Sequence, residues 1–134
     1  MPDYDKPNLD LIRMVQQARM AHDADAVPSQ VSAVYWIESK PREPQQTPTS
    51  RTGAWRISTD LQHVDALWAQ VKAATENGSL GYKSKVATAS HSGSVNAREI
   101  RVCTYDSADS VDVQRVGDAL RALGVADEMV YRAD

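Results

Sequence analysis

The sequence predicts an α+β fold, a curved and mostly antiparallel sheet with helices on one face, in the order α-ββ-α-ββ-α-β. Three observations predict it. Short runs rich in β-branched and aromatic residues come in pairs. Stretches with helical period separate the pairs. Asn, Gly, Asp, Ser and Pro mark the junctions. Helices interleaved with strand pairs pack on one side of an antiparallel sheet and leave the other side less covered.

Each element follows from its residues. Leu9, Ile12, Val15 and Ala18 after Pro7-Asn8 predict a first helix capped by Asn8, running to about Ala24 and stopped by Pro28. Residues 1–30 therefore form an N-terminal helical segment. Val31 to Glu38 predicts the first strand. Residues 40–53, with three prolines and many small polar residues, predict a long mobile loop. Ala54 to Ser58 predicts the second strand. Thr59 or Asp60 is the expected cap of a helix whose stripe is Val64, Leu67, Trp68, Val71 and Ala74, ended by Asn77-Gly78. Tyr82 to Ser90 and Arg98 to Tyr105 predict two more strands around a turn at 91–94. Asp109 or Ser110 caps a last helix with Val113, Val116, Leu120 and Leu123 on its stripe and Gly124 past its end. Glu128 to Arg132 predicts the closing strand. Strands adjacent in sequence are expected to be antiparallel neighbours.

The chain has 134 residues, 42% hydrophobic and 25% charged, which suits one globular domain over 1–134. No apolar run approaches the ~20 residues of a membrane span. Met1 to Lys6 carries two aspartates and no apolar stretch follows, so no secretory signal is read there. The single Cys103 forms no internal disulfide, which fits a reducing, cytoplasmic setting. Cys103 with His22, His63 and His91 makes no metal-ligand pattern, so neither metal nor cofactor is expected.

Net charge is −3, which argues against a general nucleic-acid binder. The distribution is uneven. Between 81 and 101, Lys83, Lys85, Arg98 and Arg101 face only Glu99, whereas 102–134 holds three arginines and seven carboxylates.

Strand alternation sorts these cations. Trp55 and Ile57 share a face opposite Arg56. Val86 marks the buried side of its strand, so Lys83 and Lys85 project from the other. Ile100 and Val102 form an apolar pair, so Arg101, Cys103 and Tyr105 lie opposite them. If the apolar sets meet the helices, Arg56, Lys83, Lys85 and Arg101 share the open face. Like charges directly opposed cost about 0.2–1 kcal/mol per pair, and a bound anion would offset this. The alternative is a solvated surface paired with the chain's own carboxylates. Trp68 and Trp55 are expected in the core. Trp36 follows Tyr35, so one of the two faces away from the core, and an exposed ring can stack a base. His91, in a turn beside the lysine strand, titrates in the range of a general acid.

Two stretches resemble the basophilic-leukaemia-expressed protein family, covering about half of the chain. Thr52 to Ala87 is similar to the family's G-x-W strand, D-x-x-W helix and G-x-L-G-x-x-x-K-V strand entry. Arg101 to Tyr131 is similar to its V-x-T-x-D-x-x-D turn, R-x-L-G helix end and last strand. The resemblance implies the fold of the mRNA cap-binding initiation factor, with helices on the convex side of the sheet. Cap recognition would need two rings around a methylated base and a carboxylate. Trp36 is the one good candidate ring, Tyr105 and Tyr82 are poor seconds, and 90–97 holds no aromatic, so cap recognition is not expected. Many members carry Lys in the G-x-W motif where this chain has Ala54. The family is also labelled as phosphothreonine lyase. That chemistry implies a lysine base at Lys83 or Lys85, His91 as acid, and Arg98 or Arg101 on the phosphate. The lyase K-x-H motif is absent, since the nearest segment is Trp55-Arg56-Ile57.

The residues point first to a non-enzymatic binding module for a phosphorylated ligand, a nucleotide or a short single-stranded nucleic acid. Arg56, Lys83, Lys85, Arg98 and Arg101 would contact phosphate and Trp36 would stack a base. The alternatives are the lyase and a protein-interaction domain docking a partner on the Pro-rich loop or a helical face.

Overall fold

The computed structural model describes residues 9–31, 36–44, 46–88, 95–125 and 128–134. Helix α1 (Leu9–Asp25) leads through a 3₁₀ turn (Pro28–Gln30) toward β1 (Trp36–Ser39). There follow β2 (Gly53–Asp60), α2 (Val64–Glu76), β3 (Lys83–Ala87), β4 (Ala97–Thr104), α3 (Ser110–Ala122) and β5 (Met129–Ala133). The five strands form one open sheet in the order β1-β3-β4-β2-β5, with every pairing antiparallel. This is the expected α+β architecture. Among the described residues, no helix is long and apolar enough to cross a membrane.

Of the strands adjacent in sequence, only β3 and β4 pair as expected; among the described residues β2 and β3, and β4 and β5, are not partners. Nor are β1 and β2: among the described residues β1 pairs with β3 alone, while β2 lies between β4 and β5. The connection between them is far longer than a hairpin turn, so nothing local holds the two strands together. The connection is instead held at both ends. Arg42 binds Glu76 through its backbone and its guanidinium. Thr49 donates to the Tyr105 carbonyl oxygen, and Arg51 pairs with Asp106 at 2.7 Å.

The core lies on one side of the sheet. Val64, Trp68, Val71 and Ala74 of α2, with Val116 and Leu120 of α3, meet Ile37, Trp55, Ile57, Val86, Ile100 and Val102. Each large apolar side chain buried there contributes about 1.5–3 kcal/mol. Trp55 is fixed on three sides. Its indole N–H donates to the Val113 carbonyl oxygen at 2.9 Å, and Tyr131 meets its ring edge-on at 5.3 Å between centroids. Against the third side lies Gly117, where a Cβ would stand 2.7 Å from the ring, so only glycine lets α3 approach this closely. Two pairs of hydroxyls meet in or beside the core: Thr75 with Ser84 at 2.6 Å and Thr104 with Tyr131 at 2.7 Å.

Helix ends follow local chemistry with one exception. Asp109 caps α3 by accepting from the Asp112 N–H, and Gly78 and Gly124 take positive φ just past α2 and α3. The expected cap of α2 is displaced. Thr59 and Asp60 belong to β2, and His63 holds the N-cap position. Asp60 instead accepts from the His63 N–H and ring, which pulls its carboxyl below the ordinary value. Asn8, the expected cap of α1, lies outside the described residues. At the sheet edge, the buried Asp23 carboxylate of α1 accepts the Glu38 N–H at 3.2 Å and so blunts β1.

Candidate functional site

Strand parity and register together build the open face. Ile37, Ser84, Val86, Ile100 and Val102 are buried on the helix side, while Lys83, Lys85 and Arg101 alternate with them and are only half-buried. Direct Cα partners share a side of the sheet. Lys85 is the partner of Arg101, and Arg101 is the partner of Arg56. The same row continues to Glu38 on one flank and Val130 on the other. Neighbouring strands lie about 4.8 Å apart, so three cations stand side by side across two interstrand spacings, roughly 10 Å. The parallel row below it runs Lys83, Cys103, Ala54 and Arg132.

Trp36 reaches the same place from β1. The Lys85 ammonium and the Arg101 guanidinium each lie 4.8 Å from its ring centroid. This is within cation–π range. The structure thus brings together Arg56, Lys83, Lys85, Arg101 and Trp36 on one face. Tyr82 and Tyr105 pack beside them at 5.8 Å between ring centroids, and Lys83 sits over the Tyr82 ring at 5.7 Å. Burial raises the pKa of both phenols.

Arg98 does not join this group. It obeys the same alternation as Ile100 and Val102, so it projects from the helix side, and its Cα partner is Thr59. Its guanidinium donates to the Val95 and Ala97 carbonyl oxygens at 3.0 and 2.8 Å. His91 lies outside the described residues.

The cations are partly held by the chain's own carboxylates, the alternative weighed from the sequence, although the carboxylates come from β1 and β4 and not from the acidic C-terminal stretch. Arg101 donates from Nε and Nη2 to the two Glu99 oxygens at 3.3 Å each. Lys83 stands 4.0 Å from Glu38. The signal was present: Glu99 is two residues from Arg101, and Glu38 two from Trp36, so each shares the face of its neighbour by the period of a strand. Arg132 was also legible, since Met129 and Tyr131 pack on the core and Val130 and Arg132 alternate with them along the strand. Arg56 differs from its neighbours in that its buried Nε has no hydrogen-bond partner.

Cys103 lies beneath these charges and is buried. Burial pushes its thiol up, while Lys83, Lys85 and Arg101 pull the other way with smaller effect. A thiol kept protonated is a poor nucleophile, so Cys103 acts as a small packing residue.

The profile of the family described as Basophilic leukemia-expressed protein Bles03 matches residues 17–134. No curated protein matches the chain. Among solved structures, the complex of Ascaris suum eIF4E-3 with the m2,2,7G cap is similar, with a TM-score of 0.59 at 17% identity. The match covers 88% of this chain and 72% of that one, and it shows the shared fold.

Proposed function

The chain belongs to the Bles03 family, and on that premise we propose that its open sheet face binds a phosphorylated ligand, a nucleotide or a short single-stranded nucleic acid. The observation that carries this reading is the row Lys85, Arg101, Arg56, three cations set as direct cross-strand partners. Opposed like charges are unfavourable by about 0.2–1 kcal/mol per pair, and phosphate oxygens placed over the row would offset that cost. That the fold neighbour was solved with a nucleotide cap supports a ligand of nucleotide type. The function is binding: the cations hold the phosphate and Trp36 borders the ring system attached to it.

The test is calorimetric titration with GTP and with a short single-stranded oligonucleotide at 50 and 200 mM salt, for the unaltered chain and for Arg56→Ala and Lys85→Ala. Binding is expected to weaken with salt. For the oligonucleotide, the log–log slope should shrink by about 0.7 for each phosphate-contacting cation removed. Absence of binding at 50 mM salt, or binding indifferent to both substitutions, would overturn the reading.

A further inference from the structure

The arrangement around Trp36 bears on what kind of ring a ligand can present. The face of an indole carries negative potential and attracts cations. In this chain that attraction is already used twice, by Lys85 and Arg101, each 4.8 Å from the ring centroid. The carboxylates that would otherwise neutralise an incoming cation are engaged. Glu99 accepts both hydrogen bonds of Arg101, and Glu38 lies beside Lys83. A positively charged ring placed at Trp36 would therefore sit beside the Lys85 ammonium and beside an Arg101 whose charge Glu99 offsets only in part, while Glu99 itself is turned to the guanidinium. An uncharged ring meets no such repulsion, and its carbonyl oxygens can accept from Lys85 and Arg101.

We propose that this face selects phosphorylated ligands whose ring system is uncharged and discriminates against positively charged rings, with Lys85 and Arg101 as the specificity-determining residues. The inference rests on the phosphate-binding reading above and deepens it by naming the ligand class. Lys85 and Arg101 then have two roles: their charge attracts the phosphates, and their position over Trp36 rejects a second cation.

GTP and 7-methyl-GTP test this directly, because they carry the same phosphates and differ in the charge of the base. Their affinities are measured by calorimetry at pH 6, where the methylated base keeps its positive charge. GTP is expected to bind about tenfold more tightly, the size of effect one like-charge contact produces near a protein surface. Lys85→Met, which keeps most of the unbranched stem of the side chain and removes its charge, should weaken both nucleotides and narrow the ratio between them. Arg101→Met should act in the same sense. Equal or tighter binding of 7-methyl-GTP by the unaltered chain overturns the inference while leaving the phosphate reading intact. A ratio unchanged by both substitutions overturns it too. If neither nucleotide binds, the phosphate reading fails and the selectivity falls with it.

Discussion

Glu99→Gln should strengthen anion binding. The substitution keeps the shape of the side chain and removes one negative charge from the open face. In the structure that charge lies against Arg101, with two donor–acceptor distances of 3.3 Å and side-chain exposures of 25% for Arg101 and 17% for Glu99. Losing the ion pair costs stability of about 1 kcal/mol or less, since glutamine still accepts from the guanidinium. The effect on a ligand is larger. A phosphate held by Arg101 would stand about 6 Å from the Glu99 carboxylate. At that distance like charges repel by roughly 0.7–2.8 kcal/mol for effective dielectric constants of 80 to 20. A middle value of about 1.4 kcal/mol is a tenfold gain in affinity. Titration with GTP at 50 mM salt reads the gain directly, with circular dichroism confirming that the fold is intact. The gain should shrink at 0.5 M salt as screening shortens. Unchanged or weaker binding in a folded Glu99→Gln chain would refute the idea that Glu99 competes with the ligand for Arg101.

Three further outcomes are expected. Gly117→Ala places a Cβ 2.7 Å from the Trp55 ring. Overpacking costs about 1–3 kcal/mol and helix propensity returns up to ~1, so urea denaturation should show a net loss of up to about 2 kcal/mol. A gain in stability would mean that α3 moves freely away from Trp55. Cys103, buried and with its thiol pushed up, should react with a disulfide reagent at pH 8 only as fast as the chain opens, and rapidly in denaturant. Immediate labelling of the folded protein would contradict its burial. Finally, the Arg51 guanidinium holds the Asp106 carboxyl below the usual value. A carboxylate lowered on folding stabilises above its unfolded pKa, about 3.9, and the contribution is lost as pH falls through the lowered folded value. The stability difference between the unaltered chain and Asp106→Asn should therefore be full above about pH 5 and fade toward pH 2, the reverse trend being fatal to the assignment.

Much of the candidate site was legible because alternation along a strand is a local property. Lys83 and Lys85 on one side of Val86, and Arg101 opposite Ile100 and Val102, could be read without knowing any partner strand. The same period places Arg98 with Ile100, and including Arg98 among the phosphate contacts neglected it. The cap at Asp109 and the glycines after α2 and α3 were equally local. The cap of α2 was not: β2 continues through Asp60, and a turn at 61–63 intervenes before the helix begins.

The amino-acid order by itself determined the element types, the family resemblance and the side of the sheet to which each cation belongs, because these depend on residues a few positions apart. Only the tertiary structure decided that β1 docks on β3 away from β2, that Lys85, Arg101 and Arg56 are direct partners, and that Trp36 rests against two of them. Strand order and register arise from burying all the apolar faces on one shared core, and no short stretch of sequence contains that information.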